Sequence, residues 1–119
     1  MEKLIYYKIF TKELKSLGLR NNPNILQFTP NEWYYLENDQ IKEGISDFGG
    51  IWVCKSLGGA NGLTKYMFTK EVSVETRAFE VRIGNILFTN SYRVKTNAVY
   101  LDREIDLLSK VKEKLLLKK

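Results

Sequence analysis

The chain has 119 residues, 44% apolar and 13% aromatic, which suits one domain with a real core and excludes a disordered tail. It carries 19 Lys and Arg against 14 Asp and Glu, a formal charge of +5, with no histidine and one cysteine. The missing histidine removes the commonest metal ligand and general base, and the lone Cys54 rules out an internal disulfide.

A positive excess of this size suits solubility and a polyanionic or acidic-protein partner, and says nothing about fold. It is unevenly spread: Glu32, Glu37, Asp39, Glu43 and Asp47 face only Lys42 in their stretch, so the remainder is more basic than the total. That stretch reads as a solvated acidic loop or as one side of a two-faced surface. No signal-peptide core opens the chain, and no apolar run nears the ~18 residues of a membrane span. The expected setting is reduced and cytoplasmic, with no membrane contact and no metal site.

In chain order, Leu4 to Phe10 is β-branched and aromatic, a strand covered on both faces. Thr11 can cap a short helix from Lys12 to Leu17 that Gly18 ends. Residues 20–24, with Pro23 among asparagines, are a loop. Thr29-Pro30 with Glu32 resembles a helix start, yet Trp33-Tyr34-Tyr35-Leu36 fits a strand equally well. These aromatics can stack on bases or nucleotides; four adjacent apolar residues more often fill a core.

The centre of the chain is residues 47–67: a turn, a short buried strand from Ile51 to Ser56, an elbow at Leu57-Gly58-Gly59, and a helix from Ala60 to Thr69. Ala60, Leu63, Tyr66 and Met67 form its apolar stripe. Gly62 within it costs about 1 kcal/mol against Ala, so the helix leans on tertiary contacts. Cys54, beside Trp52 on the strand, reads as a core residue.

From Arg77 to Leu101 the pattern is β. Phe79, Val81 and Ile83 alternate with Ala78, Glu80 and Arg82; Gly84-Asn85 reads as a hairpin turn, Thr89-Asn90-Ser91 as a second turn. Tyr92 and Val94 alternate with Arg93 and Lys95, and the whole suggests an antiparallel meander. Asp102 to the end reads as a helix, with Ile105, Leu108, Val111 and Leu115 as its stripe, broadened by Leu107 and Leu116, Asp102, Glu104 and Asp106 at the start, and Lys118 and Lys119 at the close. Its stripe docks on the sheet or pairs with a second copy.

Two constellations carry chemistry. Arg82, Arg93 and Lys95 share the outward parity of the expected meander, with Arg77 nearby, and strands about 5 Å apart would align them into a positive strip beside Tyr92 or Tyr100. The plainer reading is a solvated face balanced by Glu75 and Glu80. The elbow Ser56-Leu57-Gly58-Gly59-Ala60-Asn61-Gly62 offers backbone N–H groups to phosphate but matches neither nucleotide fingerprint.

The run Asp47-Phe48-Gly49-Gly50-Ile51-Trp52-Val53, then Cys54-Lys55-Ser56 and a helix bearing Ala60 and Tyr66, resembles the middle motif of small ADP-ribosyltransferase-like domains. In that family a strand delivers Ser or Thr into an NAD cleft. The resemblance implies Ser56 at that position, Tyr6 or Tyr7 near the nicotinamide, Glu104 as the acidic residue of the last motif, and NAD as cofactor. It covers little beyond that run. The first strand departs from the family, with Tyr6-Tyr7-Lys8 where Arg or His is usual; Lys8 supplies charge without a bidentate fork.

The sequence therefore predicts one α+β domain over residues 1–119: an antiparallel sheet with a mid-chain helix and a C-terminal helix packed on it. The leading functional expectation is a non-catalytic accessory or inhibitory protein, of the kind phages and other mobile elements encode. It would need no cofactor and would act on a polyanion or acidic protein through Arg77, Arg82, Arg93, Lys95 and Tyr92. A homodimer through the C-terminal helix is compatible with this. The alternative is an ADP-ribosyltransferase-like enzyme using Ser56, Glu104 and Tyr7 with NAD.

Overall fold

The computed structural model describes residues 5–17, 25–41, 49–70 and 75–117. Leu4, Gly18, the Pro23 loop, Lys42, Glu43, Asp47, Phe48, Lys118 and Lys119, all used in the sequence reading, lie outside the described residues. Seven strands and two helices are seen: β1 (Tyr6–Thr11), β2 (Trp33–Tyr35), β3 (Ile51–Cys54), α1 (Leu57–Lys70), β4 (Thr76–Ile83), β5 (Ile86–Thr89), β6 (Arg93–Thr96), β7 (Ala98–Ile105) and α2 (Leu108–Leu117). The fold is α+β, an antiparallel seven-stranded sheet in the order β2-β7-β4-β1-β3-β6-β5, with both helices packed against it.

The order is not that of a meander. β4 pairs with β7, and β5 with β6, so the sequence from β4 to β7 is one long ribbon folded at Asn90–Tyr92 and bent halfway along. At the bend the Gly84 N–H donates to the Ala98 carbonyl at 2.9 Å, and the Asn85 N–H donates to Asn97 Oδ1 at 2.7 Å. A Cβ on Gly84 would lie 3.0 Å from the Ala98 Cβ and closer still to Asn97 Oδ1, which is why glycine stands there. Gly84-Asn85 thus marks a bend where the sequence suggested a hairpin. The bend lets β4 pair with β1 on one side while β6 pairs with β3 on the other. β1 and β3 then meet at Tyr7 and Cys54, and the sheet curls back on itself.

The inner face of this curl holds Phe10, Ile51, Val53, Phe79, Val81, Val94, Val99 and Leu101, joined by Leu14 and Phe28 from the connection after β1. Phe10 meets Phe28 and Phe79 edge-on, with ring centroids 5.1 and 5.7 Å apart. The expected alternation of Phe79, Val81 and Ile83 toward one face is what places them here. The outer face carries the helices, over Ile9, Cys54 and Ala78, with Ala60 from α1 and Leu107 before α2.

Local expectations fail where distant contacts take over. Lys12 to Leu17 is a turn and a bridge to Gln27 rather than a helix: Leu14 has φ of 63° and points into the core, while the Thr11 hydroxyl accepts the Lys15 N–H. Trp33–Tyr35 is a strand, paired with β7. α1 begins at Leu57, so the glycine elbow is its first turn, and its buried residues are Ala60, Thr64 and Phe68; Tyr66, placed on the expected stripe, is 51% exposed.

The largest correction concerns Asp102. Residues 102–105 continue β7, and α2 starts only at Leu108, where the Asp106 carboxylate accepts the Ser109 N–H at 3.1 Å as an N-cap. Asp102 and Glu104, which imitated a helix start, are held in the sheet by Arg82 and Arg77 across the ladder. Leu107 and Val111 are buried in the chain's own core, so that part of the stripe is covered without a second copy. No described helix is long and apolar enough to cross a membrane.

Candidate functional site

The register sets one row of side chains across the outer face: Arg93, Cys54, Tyr7, Glu80 and Arg103, on β6, β3, β1, β4 and β7 in turn. Arg103 clasps Glu80 through two hydrogen bonds, at 2.6 and 3.2 Å. Arg82, two residues on, bonds Asp102 at 3.3 Å, and Arg77 on the opposite parity holds Glu104 through two bonds of 2.8 Å. Each of these three arginines on β4 and β7 therefore has a carboxylate, and the ladder between those strands is close to neutral.

The expected positive strip is not assembled. Arg82 lies on β4 and Arg93 on β6, which β1 and β3 separate. Arg93 is half-buried with its guanidinium 5.5 Å from the centre of the Trp52 ring. Lys95 has the predicted outward parity but is fully buried: its stem lies over Gly50, where a Cβ would come within 2.7 Å of the lysine Cδ. Tyr92 is 75% exposed at the β5–β6 turn, whose backbone N–H groups at Tyr92 and Arg93 both donate to Asn90 Oδ1.

The residues named by the family resemblance also have local duties. Ser56 Oγ accepts the Gly59 N–H at 3.0 Å and caps α1. Glu104 pairs across the ladder with Phe79, on the inner-face parity, whereas Tyr7 pairs with Glu80 on the outer-face parity. A cleft of about 200 Å³ between α1, β4 and the start of α2 contains Arg77 and Glu104 in its wall, together with Thr64 and Thr76; neither Ser56 nor Tyr7 lines it. The Arg77 guanidinium holds the Glu104 carboxyl below its ordinary range, so this acid is ionised at neutral pH.

Lys8, read in the sequence only as a source of charge on the first strand, is a half-buried cation. Its ammonium donates to the Trp52 carbonyl at 2.7 Å and lies 5.5 and 5.8 Å from the centres of the Phe10 and Phe28 rings. β1 and β3 share one residue pair, Tyr7 with Cys54, and Lys8 bonds β3 beside that contact. Burial pulls its ammonium down to about 8. Desolvation pushes the Cys54 thiol up, against the opposing pull of Lys8 and Arg93.

Free positive charge collects elsewhere. α1 and α2, which pack on each other, carry Lys65, Lys70, Lys110, Lys112 and Lys114 against one carboxylate, Glu113. None of the five is ion-paired with a described carboxylate; Lys110 and Lys112 lie near enough to Asp106 to help hold its carboxyl low. Lys65, Lys70, Lys110 and Lys114 are exposed. A sequence reading that searched the strands missed this layer because five lysines on two helices look like ordinary solvated faces until the sheet's arginines are seen to be paired.

A second surface lies on the same outer face, beyond the helices. Trp33 and Tyr35 share one parity of β2; Trp33 pairs with Tyr100 on β7, and Tyr100 with Arg82 on β4. The Trp33 and Tyr35 rings stack at 5.7 Å and 24°, Trp33 tilts against Tyr100 at 5.6 Å, and the Arg82 guanidinium sits 5.7 Å from the Tyr100 centroid. Tyr34, between them in sequence, points inward onto Phe28. The four-residue apolar run is therefore divided, with Tyr34 and Leu36 on the core and Trp33 and Tyr35 on the surface.

Scans against protein-family models, curated proteins and solved structures each found no match.

Proposed function

We propose that this protein is a non-catalytic accessory protein that binds a polyanion through the lysines of α1 and α2. One observation carries the reading: the arginines of the β4–β7 ladder are neutralised by carboxylates of the same sheet, while the helical layer bears five lysines with no described ion-pair partner. Opposed phosphates or sulfates would release counterions there, so affinity would fall steeply with salt. This keeps the basic-face function expected from composition and moves the face from the strands to the helices.

Heparin titration of the purified chain at low and raised salt tests it. Binding should weaken as salt rises, and a Lys65→Gln, Lys110→Gln, Lys114→Gln variant should lose most of it while Arg82→Gln loses little. Absence of heparin binding at low salt, or binding untouched by the triple variant, would overturn the proposal.

A further inference from the structure

The row Tyr35, Trp33, Tyr100 and Arg82 has no duty in the core. Its two β2 members are well exposed, Trp33 at 41% and Tyr35 at 64%, although each belongs to a residue type that gains from burial. Tyr35 stands on the edge strand at the outer end of the stack. Resting on the polyanion reading above, we infer that the polyanion is a single-stranded nucleic acid whose bases stack on this row while its backbone runs toward the lysines of the helical layer.

Three features favour that occupant. The row is a succession of ring and guanidinium planes in mutual contact, and every base presents a π-face that such a platform can extend. The row shares the outer face with the helices: Ala78 lies beneath them and Arg82, at the end of the row, is four residues further along the same strand. At about 3.3 Å per residue, the ground that the helices cover on β4 lies about 13 Å along the strand from Arg82, a span that a few nucleotides cover. A duplex keeps its base faces inside its own stack, so it can reach the lysines but not the rings. An acidic peptide would satisfy the lysines and gain nothing from an aromatic row flanked by an arginine already paired with Asp102. Stacking reads no base edges, so binding is expected to tolerate sequence.

The test is fluorescence anisotropy with a labelled oligothymidylate, a duplex of the same length and heparin, measured on the parent chain, Trp33→Ala, Tyr35→Ala and the triple lysine variant. The single strand should bind more tightly than the duplex. Each aromatic variant should weaken it about 5- to 150-fold, the range typical of losing one base–aromatic stack, while leaving heparin binding unchanged. Trp33→Phe should restore part of the loss, which separates stacking from a fold defect, and circular dichroism checks that the variants stay folded. Equal affinity for duplex and single strand, or aromatic variants without effect, would overturn this inference and leave the polyanion reading intact. So would an equal loss of heparin binding, which would make the row a sugar or general contact. Failure of every polyanion to bind would overturn both.

Discussion

Arg77 and Glu104 face each other across β4 and β7 with two parallel hydrogen bonds of 2.8 Å, the fork geometry that only arginine offers a carboxylate. Both groups are partly exposed, so the pair is worth at most about 1 kcal/mol. Glu104→Gln should lower the urea midpoint slightly at pH 7. Because the folded Glu104 carboxyl is held below its ordinary 4.5, its contribution is complete above that value and is lost as pH falls through the folded one. The difference between parent and variant should therefore shrink toward pH 3; a difference that grew there would contradict the geometry.

Asp106 should matter more to α2 than the acids before it. Its carboxylate caps the helix through the Ser109 N–H, and that bond is the chief reason its carboxyl sits below the usual range. Asp106→Ala should cost about 1 kcal/mol in thermal or urea unfolding, and Asp106→Asn much less, since asparagine caps nearly as well. Asp102→Asn, which leaves the cap alone, should not reduce helicity.

Lys8 gives the opposite sign. Its folded ammonium titrates near 8 and its unfolded one near 10.5, so the unfolded chain holds more protons between those values. Stability should rise with pH across that window by on the order of 3 kcal/mol from this residue, an upper figure because the side chain is half-buried. Other lysines and tyrosines titrate there as well, so the measurement is the difference between the parent and Lys8→Met. The variant should flatten the rise; an unchanged slope would mean that Lys8 reaches water.

Gly50 should tolerate no side chain. Lys95 is fully buried above it, and it is the near part of the stem, not its flexible tip, that a Cβ would strike. Gly50→Ala should destabilise the fold by about 1–3 kcal/mol, the usual cost of overpacking. Gly62→Ala is the control, since nothing lies within 4 Å of a Cβ there, and it should stabilise α1 by up to about 1 kcal/mol.

What could be read in the sequence was what depends on near neighbours. The period of two in Phe79, Val81 and Ile83 told inside from outside, and the Thr89-Asn90-Ser91 turn was correctly placed between β5 and β6. The α+β class followed from such signals. Partner choice did not: Gly84-Asn85 looks the same whether the chain reverses or bends, and only the contact with Ala98 decides. Acids at 102, 104 and 106 suit a helix start, yet Arg82 and Arg77, 20 and 27 residues before their partners, claim the first two for the sheet. Lys95 had the right parity and the wrong exposure because Gly50 is distant in sequence. For the candidate surface, Trp33 and Tyr35 were noted but not separated from Tyr34, since a three-residue strand is too short to show its alternation.

The pairing of β1 with β4, β2 with β7 and β3 with β6 also governs how the chain reaches this state. Apart from the single β1–β3 contact, the strands of the first half have no partner until β4 to β7 exist. Loop closures that long precede their reward, which places folding in the slow range for a domain of this size. A nascent chain would emerge with β1, β2 and β3 largely unpaired and would gain its sheet only once β4 to β7 had followed. Losing β7 would remove two neighbours, β2 and β4, and with them the means of closing the curl.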